Sequence, residues 1–208
     1  MEQFISIDWG TSSLRCRVVN AESNGIEAEV CSEMGIAYVF ENWNSIGKPE
    51  QERLSFYQAI LGEEIKKLEK NMSERLDGLA VIISGMASAN IGMKNLPYKV
   101  LPFSISGGDL GVEFINSTKD FNHNTLLVSG VRSDNDVMRG EETQLIGSVT
   151  GSNDEELYIF PGTHSKHMTV RNGQVNEFKT YMTGEVFSLL STKSILSKSI
   201  EKVMQLST

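Results

Sequence analysis

Cysteine, histidine, proline and long apolar runs are all scarce in this 208-residue chain, and each scarcity removes a class of protein. The two cysteines, Cys16 and Cys31, make neither a disulfide framework nor a metal-ligand spacing. Cys16 alternates with Arg15 and Arg17 in a strand-like pattern, which suits a small buried apolar residue. Four prolines, with 39% hydrophobic and 22% charged residues, exclude collagen-like and low-complexity sequence. The longest apolar runs, such as LAVII at residues 79–83, fall far short of the roughly 18 residues that span a bilayer, so no membrane partner is expected. Glu2 and Asp8 stand where a secretory signal carries basic residues and then a longer apolar stretch, which predicts a cytoplasmic protein. Basic residues are the minority charge: 19 Lys and Arg against 27 Asp and Glu leave a formal net charge of −8. That balance argues against nucleic acid, because neutralising phosphates needs a basic surface. A small anion, drawn into a cleft by a few focused cations, remains compatible with it.

The length allows one large domain or two small ones, each with its own core. Residues 4–8 and 14–19 read as two strands joined by a turn at 9–13, with Leu14, Cys16 and Val18 on one face and Arg15 and Arg17 on the other. A turn at Asn24-Gly25 and the segment IEAEV add a third antiparallel strand. From Pro49 the period changes: Leu54, Tyr57, Leu61, Ile65 and Leu68 recur at helical spacing, which predicts an amphipathic helix with proline near its first turn. LAVIISGMASAN (79–90) reads as a buried strand running into a Gly-Ser loop, and TLLVSGVRSDND (125–136) repeats that design. Such strands predict parallel neighbours with functional loops at their carboxyl ends. A helix is expected from Val137 to Ile146, and strands at 157–160, 167–171 and 174–180, the last two joined by Asn172-Gly173.

The opening therefore recurs. Gly10-Thr11-Ser12-Ser13 matches Gly162-Thr163-His164-Ser165, and both lie within a strand, turn, strand, turn, strand order. Only the first copy has an acid before the turn, since Phe160 holds the place of Asp8. Asp8 alone also suits a turn cap. Two facing loops of this kind offer backbone N–H groups and hydroxyls of the sort that cradle phosphates. One carboxylate between them suits magnesium, with water in the remaining positions. Duplicated loops clamping a nucleotide, with one acid for the metal, point to an α/β fold of the actin-like ATPase (ribonuclease H-like) architecture.

The stretches IDWGTSSLR, ISGMASANIGM, NDVMRGEETQLIG, PGTHSKHMTV and FKTYMTGEVFSLL, in this order, resemble the 2-dehydro-3-deoxygalactonokinases, sugar-acid kinases of the sugar kinase, heat-shock chaperone and actin superfamily. The resemblance covers residues 5 to about 196. It implies an ATP- and Mg2+-dependent kinase that phosphorylates the terminal hydroxyl of a 2-keto-3-deoxy sugar acid. By the same resemblance Asp8 organises the metal, Gly10, Thr11 and Ser12 form the first phosphate loop, and Gly162, Thr163 and Ser165 form the second. Asp136 is implied as the catalytic base. Asn135, Gly140 and Glu141 complete an "ND…GE" pattern like that of glucokinase-like relatives, and Asp136 also suits a helix N-cap. A sugar acid needs donors for its carboxylate, for which Arg132, Arg139 and Lys166 are candidates. The loop of Ser84, Gly85 and Met86 is implied to line the sugar site. Family members carry an aromatic residue and an acid where GMKNLPY has Met93 and Asn95.

Beyond Glu141, kept as a substrate-binding residue, the Glu141-Glu142 pair reads as the solvated face of a helix. His164 and His167 have an H-x-x-H spacing without a third ligand nearby, so no metal centre is expected there. Two units are expected: residues 1–152, a ribonuclease H-like domain with the sugar site and first phosphate loop, and 153–208, the start of a second such domain. That second segment is short for a whole domain. A homodimer is one expected consequence, because apolar surface and sheet edges would be left open. The competing expectation is a non-catalytic module that binds sugar acid or phosphate on the same fold.

Overall fold

The computed structural model describes residues 2–148 and 155–200; the unit boundary expected at 152/153 lies outside them. In chain order the elements are β1 (Gln3–Trp9), β2 (Leu14–Asn20), β3 (Ile26–Ser32), α1 (Ile36–Ile46), α2 (Arg53–Met72) and β4 (Val81–Gly85). Short strands follow: β5 (Lys99–Val100), β6 (Phe103–Ser104), β7 (Val112–Ile115), β8 (Thr125–Val128), β9 (Val131–Arg132) and β10 (Val137–Met138). The chain continues through α3 (Glu141–Ser148), β11 (Glu156–Phe160), β12 (Ser165–Arg171), β13 (Gln174–Tyr181) and α4 (Thr183–Lys193).

A six-stranded sheet runs in the order β3-β2-β1-β4-β8-β7. The first three strands are antiparallel, β4 lies parallel to β1, and β8 lies parallel to β4. This is the ribonuclease H-like order of the actin-like ATPase fold. Alternation dictates the packing: Ile5, Ile7 and Trp9 of β1, and Leu14, Cys16 and Val18 of β2, are all buried. Tyr57, Leu61, Ile65 and Leu68 of α2 join them in one core, so the helical stripe and the strand alternation serve the same interior. Burial also pushes the Cys16 thiol well above its usual range, which fits a residue that packs rather than reacts.

A four-stranded sheet follows the order β11-β12-β13-β6, with antiparallel pairing throughout. Its core joins Phe103, Val131, Met138 and Leu145 to Met168, Val170, Val175 and Phe178. The second core thus draws on residues from both sides of 149–154. A third small sheet runs in the order β10-β9-β5, and its Val131 and Met138 belong to the second core.

Two elements differ from expectation. The helix expected from Val137 starts at Glu141, because Val137 and Met138 pair with Arg132 and Val131, and Gly140 turns the backbone at φ 108°. The helix α1 has no counterpart among the expected elements. No side chain caps its start, and its first turn holds no acid, so the usual signals of a helix N-terminus are missing.

Candidate active site

The matching turns of the sequence repeat are built alike. In the first, the carbonyls of Gly10 and Thr11 accept the N–H groups of Ile36 and Ala37 at the start of α1, at 3.0 and 3.1 Å. In the second, the carbonyls of Gly162 and Thr163 accept the N–H groups of Gly184 and Glu185 at the start of α4, at 3.2 and 3.1 Å. A glycine permits each approach. A Cβ on Gly35 would stand 2.2 Å from the Ser12 carbonyl carbon, and one on Gly184 would stand 2.6 Å from the Gly162 oxygen. In both copies the repeat therefore runs on into a helix, α1 and α4.

This arrangement fixes the direction of the loop amides. In a planar trans peptide the N–H points opposite to the C=O. With the carbonyls turned onto the helix starts, the N–H groups of Thr11 and Ser12, and of Thr163 and His164, point away from the helices. They donate to no acceptor among the described residues. Successive free amides of this kind make anion-binding concavities. Ser165 closes the second loop, accepting the Gly162 N–H on its Oγ at 3.3 Å while its own side chain is buried.

Both loops front one cavity of about 210 Å³, lined by Asp8, Gly10, Gly85, Arg139, Gly140, Glu141, Gln144 and the segment Phe160 to His164. Asp8 ends β1 beside the first loop. Its carboxylate is 43% exposed, and its nearest cation is Arg15 at 3.7 Å, too far for a hydrogen bond. A second cavity of about 280 Å³ shares Gly10, Arg139, Glu141 and His164, and adds Thr11, Met86, Tyr98 and Lys166. Glu141 therefore stands where the two cavities meet. Its Oε2 accepts the Arg139 backbone N–H at 3.1 Å, and its Oε1 lies 3.6 Å from Lys166 Nζ.

Glu142, expected on a wet helix face, is instead buried. Both its oxygens accept the Gly140 N–H, at 2.8 and 2.9 Å. Burial pushes its pKa up to about 7, held down in part by the bonds from Gly140 and its own backbone. The carboxylate clamps the turn that carries Arg139 and Glu141 into the cleft.

The remaining expected residues divide. Asp136 and Asn135 line a different cavity of about 440 Å³, with Asp134 and residues 176–181. Asp136 Oδ1 accepts the Val137 N–H at 2.8 Å and the Thr180 hydroxyl at 2.9 Å, and Oδ2 accepts the Thr180 N–H at 2.8 Å. The structure thus sets Asp136 to tie β13 to the 133–137 turn and does not bring it into the Asp8 cavity. Gly85 and Met86 reach the two cleft cavities, whereas Ser84 turns its hydroxyl toward the Ile7 carbonyl. Arg132 is exposed on β9, and Ser12 is exposed; neither lines the two cleft cavities. His164 pairs with Glu185 at 2.6 Å, and His167 packs on Tyr181 with ring centroids 4.4 Å apart. Met93 is buried in the first core.

A ribonuclease H-like sheet with duplicated amide loops and a carboxylate at the end of β1 gives the chain the actin-like ATPase fold. The chain matches the 2-keto-3-deoxy-galactonokinase family over residues 8–206 and belongs to that family. The 2-dehydro-3-deoxygalactonokinase of Escherichia coli (strain K12) is 32% identical over 198 residues, covering 93% of this chain and 58% of that protein. A Rhizobium meliloti (strain 1021) protein, provisionally assigned the same activity, is 30% identical over 204 residues, covering 95% and 59%. A solved structure of a candidate 2-dehydro-3-deoxygalactonokinase from Sinorhizobium meliloti has a TM-score of 0.70 at 27% identity, covering 98% of this chain and 62% of that chain. The chain therefore spans less than two thirds of the length of these relatives.

Proposed function

We propose that this chain carries the phosphate loops and sugar-acid site of a kinase that transfers a phosphoryl group from MgATP to the terminal hydroxyl of a 2-keto-3-deoxy sugar acid, of the 2-dehydro-3-deoxygalactonate type. The observation that carries this reading is the pair of like loops fronting one cavity beside Asp8. The donor set suits a magnesium nucleotide. Magnesium is commonly held by one or two carboxylates, substrate phosphates and water. Among the described residues no cluster of three or more His, Cys, Asp or Glu offers an all-protein cage. Asp8 would hold the cation, and the open space at Gly162 leaves room for phosphate to approach the backbone.

When bound, the magnesium nucleotide supplies the electrophilic phosphorus and partial neutralisation of its charge. In the loops that begin at Gly10 and Gly162, the free backbone amides of Thr11 and Ser12 on one side, and of Thr163 and His164 on the other, orient the phosphates. Ser165 keeps the second loop closed. Two carboxylates are candidates to accept the proton of the sugar hydroxyl. Asp136 is implied by the family motif. Glu141 is supported by its place at the junction of the two cavities. General-base removal costs a factor of roughly 10² to 10⁴ in turnover, so comparing Glu141→Gln with Asp136→Asn identifies the base.

ADP release by the purified chain with MgATP and a panel of 2-keto-3-deoxy sugar acids tests the reading, with Asp8→Asn as control. Release that needs a sugar acid and vanishes in the control is expected. Silence from a folded chain on every sugar acid refutes kinase activity for these 208 residues. The second reading, a sugar-acid-binding module without turnover, is favoured by the capture of Asp136, the implied base, by Val137 and Thr180 outside the Asp8 cavity. It predicts binding of the acid with no ADP release.

A further inference from the structure

The second cleft cavity holds an imbalance of charge that phosphate binding next door does not use. Lys166, on β12, is only 6% exposed. A buried ammonium is costly unless it is paired. Its carboxylate neighbour, Glu141, lies at 3.6 Å, beyond hydrogen-bond reach, and Lys166 Nζ has no hydrogen-bond acceptor among the described residues. Arg139 faces the same cavity. Its Nη1 donates to Ser88 Oγ at 2.6 Å, its Nη2 donates to the Leu96 carbonyl at 3.3 Å, and its guanidinium lies 4.0 Å from the Tyr98 ring centroid. These contacts fix the group without neutralising it. Its Nε is buried without an acceptor, and among the described residues no carboxylate lies within salt-bridge distance. Two cations thus share one loosely placed carboxylate. The His164 ring, which also borders the cavity, is engaged by Glu185.

We propose that this cavity is a carboxylate receptor, in which Lys166 and Arg139 hold the acid group of the substrate and Glu141 sets the charge they present. It rests on the sugar-acid reading above and gives that reading its specificity. A monoanion matches the single excess positive charge of the cavity. Met86, Val137 and Met138 supply an apolar wall for the deoxygenated part of the carbon chain. A ligand anchored at Lys166 extends past Glu141 toward the loops at Asp8, so its far end meets the phosphates.

The test is calorimetric titration of the whole chain, without nucleotide, with 2-keto-3-deoxygalactonate, the uncharged sugar 2-deoxygalactose, and inorganic phosphate. The sugar acid is expected to bind, and 2-deoxygalactose to bind at least tenfold more weakly. Lys166→Met should weaken the acid by tenfold or more, and Lys166→Arg should keep most of the affinity. Glu141→Gln should tighten binding several-fold, because it removes the competing negative charge. A merely structural role for the pair predicts the opposite sign for Glu141→Gln, so a misfolded Lys166→Met still leaves a decisive variant. No binding of the acid, unchanged affinity in Lys166→Met, or weaker binding in Glu141→Gln overturns the proposal. Loss of phosphate binding alone in Lys166→Met also overturns it, by assigning the cation to phosphate. Acid binding with this pattern but without ADP release leaves the receptor standing and removes the kinase reading. ADP release with an unchanged sugar-acid KM in Lys166→Met does the reverse.

Discussion

Replacing Glu142 by glutamine is expected to flatten the dependence of stability on pH between about 4.5 and 7. The carboxyl group is 1% exposed and receives the Gly140 N–H on both oxygens. Burial moves its pKa from 4.5 to about 7, with the adjacent Glu141 adding to the rise and Arg139 opposing it. An acid raised on folding is protonated in the folded chain while the unfolded chain has already ionised. Between the two pKa values the folded state therefore holds more protons, and the free energy of unfolding falls as pH rises. Stability is complete below about 4.5, declines through the interval, and is lowest above about 7. The shift corresponds to about 3 kcal/mol at full ionisation. Glutamine keeps an acceptor for Gly140 and never ionises, so the variant should gain on the parent by up to that amount as pH rises. Urea unfolding followed by circular dichroism, in steps from about pH 5 to about pH 8, measures the difference, and titrating groups remote from Glu142 cancel between the two proteins. Parallel pH curves for parent and variant would refute the assignment of a buried, readily protonated carboxyl at this position.

Asp136→Ala should lower stability by roughly 1–3 kcal/mol, because it leaves the Thr180 N–H and the 133–137 turn without their shared acceptor; an unchanged urea midpoint would show that the tie is dispensable. Gly35→Ala should destabilise by about 1–3 kcal/mol through overpacking, since the new methyl meets loop backbone rather than a flexible side chain. Gly184→Ala makes the same demand on the second loop, and limited proteolysis of both variants should reveal new cleavage near residues 10–13 or 162–165 respectively.

The strand pairs were readable because a half-buried antiparallel strand writes its burial in alternate positions, as Ile5, Ile7 and Trp9 do. The α2 stripe was readable for the same reason at helical period. Helix α1 was hidden because Gly35 starts it for a steric purpose, and glycine there carries no capping signal. Val137 and Met138 are drawn into a strand by pairing with β9, a tertiary preference that local residues do not announce. In the cleft, the two loops and Asp8 were legible because each lies beside a repeated strand pattern. The division of labour among carboxylates was not. Asp136 is captured by Thr180, 44 residues further along, and Glu142 disappears beneath the Gly140 turn. Neighbouring acids in one short motif thus meet three different environments, which their spacing cannot distinguish.

Strand β6 has a consequence for how this architecture can be divided. Phe103 and Ser104 leave the region of the first core and complete the edge of the second sheet beside β13. The two halves are therefore laced rather than strung. Recombination near residues 149–154 would transfer β11, β12 and β13 without their fourth strand and without Phe103, Val131 and Met138 as floor. The three strands β11 to β13 are exchangeable only together with the segment that completes their sheet and core.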